Sequence, residues 1–176
     1  ASVESLDEAM LCIQQPKISS LQLIFNIFRQ RPKQSLLTEA MKKQVGIIAR
    51  LPLASGVLSG KYTKKTEFDS GDHRNYNKDG QAFSVGETFA GVEFEKAVSL
   101  AEKLKVYTGG APLAQFAQRW ILDHPAVTTI ITGASSTEQV KNNVAACDLE
   151  PISEEIHQKL FDFYLEKVEN LVRCEL

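Results

Sequence analysis

Apolar positions along the chain switch between two spacings, and the switches predict helices and strands in turn. Residues 5–13 open on a capping-box pair, Ser5 and Glu8, and predict a first helix. An extended run over 21–25 follows, then a helix over about 35–43 closed by Gly46, then a strand over 46–50. Phe94, Ala97, Val98, Ala101 and Leu104 recur at helical spacing, so residues 92–104 bury one face. Pro112 starts a helix that reaches about Leu122 and carries Trp120, and 127–131 reads as a strand. Ser153 caps a last helix whose stripe is Ile156, Leu160, Phe163, Tyr164 and Val168, expected to pack across the outside of the fold. Alternating helix and strand is the signature of α/β architecture. Residues 59–89, rich in Gly, Asp, Asn and Lys, predict a long mobile surface loop able to fold over a ligand.

The stretch Thr132-Gly133-Ala134-Ser135-Ser136-Thr137-Glu138-Gln139-Val140-Lys141-Asn142-Asn143 joins the last strand to a helix start rich in small polar residues. Ser135 with Glu138, or Ser136 with Gln139, has capping-box spacing, and the N–H groups of such a start favour an anion. Gln139, Asn142 and Asn143 fall three and four residues apart, where amides could meet a polar ligand. An ordinary capped helix after a strand would show the same local features.

A second stretch, Arg50-Leu51-Pro52-Leu53-Ala54-Ser55-Gly56-Val57-Leu58-Ser59-Gly60-Lys61-Tyr62, follows the apolar residues 45–49. Small residues leave backbone N–H groups open to a pyrophosphate, and Lys61 supplies a compact charge. A nucleoside-triphosphate loop is excluded: only three residues separate Gly56 from Gly60, and Tyr62 stands where a magnesium-binding hydroxyl is needed.

Composition removes several classes. A formal net charge of −2 and a pI near 6.0 give no broad basic surface for nucleic acid. No apolar run of about eighteen residues spans a membrane. No secretory signal stands at Ala1, and the missing initial methionine suggests a piece of a longer protein. Cys12, Cys147 and Cys174 lack Cys-x-x-Cys spacing and read as reduced, buried or half-buried thiols, which suits a cytoplasmic protein. His73, His124 and His157 are scattered and read as loop or surface residues, and no metal site is expected.

The 132–143 stretch resembles the cofactor-binding end of the aldo-keto reductases, Gly-x-Ser-x-x-x-Gln-x-x-Asn/Glu-Asn, and 50–62 resembles their Pro-Leu-Ala-x-Gly-x-Leu-x-Gly-Lys-Tyr pattern. The resemblance implies NADP(H) as cofactor. Gly133, Ser135, Gln139, Asn142 and Asn143 would meet the adenosine 2′-phosphate and adenine, with Asn142 at a position where Glu is common. Pro52, Leu53, Ala54, Ser55 and Lys61 would face the pyrophosphate. Ser20 to Asn26 resembles the barrel strand whose glutamine holds the nicotinamide carboxamide, here Gln22. Asp72-His73-Arg74 resembles the Asp-x-Arg whose arginine, here Arg74, reaches across the cofactor. Arg50 stands where many members stack an aromatic on the nicotinamide, and a guanidinium plane can stack there too.

The implied fold is a (β/α)8 TIM-type barrel, which needs eight strands and roughly 250 residues, whereas three strands are legible here. Residues 1–176 would form a single domain, the C-terminal half of that barrel from the helix before its sixth strand, with the N-terminal half absent. The Asp, Tyr, Lys and His of the family's catalytic tetrad precede this segment, so no catalytic residue is assigned. The expected parent reduces aldehydes or ketones by hydride transfer from NADPH, with this chain inactive alone. The alternative is a non-catalytic NADPH sensor or structural module. Exposed sheet edges predict self-association or capture by the missing half, and the position near Gly133 lacks the Lys or Arg that some family members place at the 2′-phosphate, which implies a weak NADPH preference.

Overall fold

The computed structural model describes residues 1–174. Three parallel strands, β1 (Ser20–Ile24), β2 (Gly46–Arg50) and β3 (Val127–Ile130), form a sheet in the order β1-β2-β3. The helices are α1 (Leu6–Cys12), α2 (Leu36–Lys43), α3 (His73–Tyr76), α4 (Phe94–Leu104), α5 (Leu113–Leu122), α6 (Thr137–Val144) and α7 (Glu154–Phe163). The register pairs Ile24 with Arg50 and Ala49 with Ile130, so all three strands end at one edge.

Periodicity along the strands explains which face is buried. Leu21, Leu23, Ile47 and Ala49 are fully or almost fully buried and share one core with Leu36, Leu37 and Ala40 of α2 and Phe116, Ala117, Trp120 and Ile121 of α5. The alternate residues Gln22, Ile48 and Arg50 are half-buried, and Thr128 and Thr129 of β3 are exposed. Parallel sheets are ordinarily covered on both faces. Here the second face is partly open, and Ile131, Val140 and Val144 beside it are exposed.

Several local expectations are corrected. Residues 1–3 add a further pairing to the sheet: Ser2 bridges Gln22 in parallel, Val3 donates to the Gln22 carbonyl at 2.9 Å, and Gln22 donates to Ala1 at 2.8 Å. The chain therefore opens on strand-like backbone and then enters α1, whose capping box is as predicted. Gln44, not Gly46, ends α2; its left-handed φ of 55° lets the Val45 N–H return to the Ala40 carbonyl at 2.9 Å. Gly46 begins β2, as expected, and a Cβ there would lie 2.6 Å from the Thr128 hydroxyl, so its smallness serves strand packing. The 59–89 segment contains α3 and a 3-10 turn at Val85–Glu87. Beyond α7 the chain widens into a π turn, Tyr164–Val168, which still buries Tyr164 and Val168. Cys147 is exposed, and His124 and His157 are buried.

Those two histidines belong to a polar hub at the end of α5. The Asp123 carboxylate accepts from Arg119 Nε at 2.8 Å, from the Ile152 N–H at 2.9 Å and from His157 Nε2 at 3.1 Å. It thereby fixes the turn that launches α7. His124 Nδ1–H donates to the Trp120 carbonyl at 2.8 Å, and the ring meets Phe25 edge-on, 4.9 Å between centroids. Burial, and then the neighbouring His157 ring, push its pKa down to about 4.

Two outcomes are expected. Removing one partner of a buried ion pair strands the other, so Asp123→Ala should lower unfolding free energy by about 3 kcal/mol in a urea titration. His124 is neutral in the fold and takes its proton more readily once unfolded. Its contribution is therefore complete above about pH 6.5 and shrinks as pH falls toward 4, by up to about 3 kcal/mol. The melting temperature should drop between pH 6.5 and 5, and His124→Gln should flatten that drop.

Candidate functional site

Because β2 and β3 are parallel neighbours, the segments leaving them lie side by side. The β2 exit turns at Leu51, φ 53°, and continues through Ala54, Ser55 and Gly56 with φ of 48°, 56° and 94°. Consecutive left-handed residues curl the backbone into a concave loop. Gly56 is obligatory there, since a Cβ would sit 2.6 Å from the Tyr62 hydroxyl as well as at positive φ. Asn26 braces this turn: its Nδ2 donates to the Leu51 carbonyl at 2.9 Å while its Oδ1 accepts from the Phe28 N–H at 2.9 Å.

The loop's side chains divide by role. Pro52 and Ala54 are buried and Leu53 half-buried, so they offer a ligand little beyond backbone. Ser55 Oγ donates to the Glu87 carbonyl at 3.0 Å and accepts from the Phe89 N–H at 3.1 Å, tying the loop to the segment that covers it. Lys61 is exposed, with no carboxylate partner among the described residues.

At the β3 exit, Ser136 is the cap of α6, accepting from the Gln139 N–H at 3.2 Å. Of the two spacings that the sequence allowed, the second is therefore the one formed. Ser135 and Gln139 hold one another instead: Gln139 Oε1 accepts from the Ser135 N–H at 2.6 Å and from its hydroxyl at 3.2 Å. Asn143 donates to the Gly133 carbonyl at 3.3 Å and accepts from buried Gln118 at 3.0 Å, and Asn142 donates to Glu138 at 3.4 Å. The N–H groups of Thr137 and Glu138, in the first turn of α6, have no acceptor among the described residues. Space around Gly133 is open: a Cβ there would meet nothing within 4 Å. Two free N–H groups, a small-residue approach and a hydroxyl held by an amide suit a phosphate.

Gln22 lies on the half-buried face of β1, opposite Ile48, and its side-chain amide makes no hydrogen bond among the described residues. Arg74 reaches the loop after β2 through Tyr62, whose hydroxyl abuts Gly56. Asp72 caps α3 and binds Arg74 through both carboxylate oxygens, Arg74 also donates to the Tyr62 hydroxyl, and its guanidinium lies 4.6 Å over the Phe68 ring. The Arg74 hydrogen bonds hold the Asp72 pKa down at about 2. A cleft of about 320 Å³ lies beside Arg74 among Phe68, Asn75, Lys78, Phe89 and Phe94. Neither Lys61 nor any residue of 133–143 lines it, and the free donors named above mark the candidate site better than cleft volume does.

Arg50 is held rather than free. Its guanidinium donates to Glu87, to Glu4 at 2.7 Å and to the Val3 carbonyl at 3.2 Å. Neither Glu4 nor Glu87 stands out in the sequence, because each meets Arg50 across some forty residues of chain. Asn26 had a signal, since it ends the quoted Ser20 to Asn26 stretch. Among the described residues, no helix is long and apolar enough to cross a membrane, and no cluster of His, Cys, Asp and Glu could hold a metal ion.

Comparison with known proteins agrees with this architecture. The glycerol dehydrogenase AKR11B4 of Gluconobacter oxydans superposes with a TM-score of 0.73 at 22% identity, over 99% of this chain and 51% of that one. An L-glyceraldehyde 3-phosphate reductase of Escherichia coli O157:H7 is 34% identical over 65% of this chain and 32% of its own length. A probable voltage-gated potassium channel subunit beta of Oryza sativa subsp. japonica is 32% identical over 73% of this chain and 38% of its own. The chain thus spans about half the length of the proteins it matches, or less. A sequence model of the Aldo/keto reductase family matches residues 1–164, and with that span nearly all of the sequence is accounted for: the chain belongs to the aldo/keto reductase family of oxidoreductases.

Proposed function

We infer that residues 1–176 are the cofactor-binding, C-terminal half of an NADPH-dependent reductase of aldehydes or ketones. The observation that carries this reading is the adjacency of the two exits. A left-handed loop with an unpaired Lys61 and a helix start with two unpaired N–H groups leave the same sheet edge on neighbouring strands. The pyrophosphate would lie along residues 52–55 with Lys61 as counter-charge, and a 2′-phosphate would meet Ser135 and the first turn of α6. Gln139 keeps the Ser135 hydroxyl oriented, and Asn143 fixes the Gly133 approach. Gln22 would hold the carboxamide of the nicotinamide ring, whose chemistry when bound is hydride delivery to a carbonyl carbon. Arg74, bound to Asp72, would border the cofactor through the 59–89 segment rather than grip it.

None of these residues takes the role of the tetrad's general acid, so the chain alone holds the cofactor without turning over a carbonyl. The open sheet face and the exposed Ile131, Val140 and Val144 would be covered by the remaining half of the barrel or, failing that, by self-association. A second reading, cofactor binding without turnover in the parent protein, draws on the likeness to the potassium channel subunit of rice.

Fluorescence titration of NADPH on the purified chain should show binding. Lys61→Ala should weaken it by about tenfold, as loss of one charge-assisted contact does, and Ser135→Ala by several-fold. Unchanged affinity in both variants would refute the assignment. With an aldehyde added, the chain should oxidise no NADPH; turnover would overturn the claim that the general acid lies outside it.

A further inference from the structure

Arg50 is the β2 residue at which a stacking plane was expected, and the structure surrounds it with acid. Glu4 follows the strand-like residues 1–3, Arg50 ends β2, and Glu87 sits in the covering segment that Ser55 ties down. The Arg50 side chain is only 11% exposed, and its Nε is buried without a hydrogen-bond partner. Swinging out would break contacts to Glu4, Glu87 and the Val3 carbonyl together, so the guanidinium stays fixed. The cluster carries one positive and two negative charges, a net charge of −1.

We propose that Glu4 and Glu87 are specificity-determining residues which, through Arg50, make the site bind the oxidised, cationic nicotinamide more tightly than the reduced, neutral one. This rests on the cofactor reading above. Gln22 and Ile24 share one face of β1, and Ile24 lies directly opposite Arg50, so a ring held by Gln22 would lie beside the cluster. The two redox states share the same phosphates and adenine, and differ by one positive charge on the ring. Everything that Lys61 and Ser135 contribute cancels in the comparison, leaving the charge beneath the ring to decide it. A bare arginine would disfavour the cation, whereas an arginine outweighed by two carboxylates favours it. One net charge about 5 Å away, in a partly solvated site, corresponds to roughly tenfold in affinity. Glu8 and Arg29 line the neighbouring cleft with Glu4, and their opposite charges offset one another.

Isothermal titration of the purified chain with NADP+ and with NADPH tests this without any turnover. The unaltered chain should bind NADP+ about tenfold more tightly. Glu87→Gln should bring the two affinities close to equal, chiefly by weakening NADP+. Glu4 is half exposed, so Glu4→Gln keeps its fold and should move the ratio the same way even if Glu87→Gln does not fold. Ser135→Ala should weaken both nucleotides alike and leave the ratio unchanged. Equal affinities in the unaltered chain, or a ratio that neither glutamine variant moves, would overturn the charge proposal while the cofactor reading stood. Failure of both nucleotides to bind would overturn the two together.

Discussion

The parallel pairing of β2 with both neighbours is the constraint on which the rest depends. Parallel strands need crossovers that return the chain to the starting edge, so every strand here ends at the same edge. The helices α2, α4 and α5 are those returns, and their apolar stripes bury Leu21, Leu23, Ile47 and Ala49 on one face. The opposite edge collects the irregular backbone: the Leu51 turn, the left-handed residues 54–56, and the Gly133 approach to α6. Ligand chemistry gathers where the strands end because that is where the chain has left the ladder with donors unspent.

That edge is held by long-range polar contacts as well as by the core packing of Ala54, Val57, Leu58 and Phe89. Asn26 fixes Leu51, Ser55 fixes the 87–89 segment, Gln118 fixes Asn143, and Arg50 joins three separate stretches. Each costs desolvation that good geometry must offset, and together they leave little freedom in the loops that would receive a cofactor. The sheet's other face is only partly covered.

Much of this was legible beforehand. Three strands and most helices followed from the spacing of apolar residues, since burial of one stripe or one face acts over a few residues. Ser136 was one of the two caps that the sequence allowed, and it is the one that forms. The misses were non-local or finely balanced. Gly46 was read as a helix stop because glycine commonly supplies the left-handed residue, yet Gln44 adopts it and glycine is kept for the Thr128 contact. His124 and His157 read as surface residues because nothing near them in sequence predicts Asp123, Trp120 and Phe25 gathering around them.

By itself, the sequence determined the α/β alternation, the positions of the strands, the polar helix start at 135–139, and membership in the aldo/keto reductase family. Those features depend on the identity and spacing of near neighbours along the chain. Only the tertiary structure decided that residues 1–3 extend the sheet, that Arg74 reaches the Tyr62 hydroxyl, and that Arg50 is clasped by Glu4 and Glu87. A charge takes whichever partner the fold places within about 3 Å of it, and the chain between them carries no record of that choice.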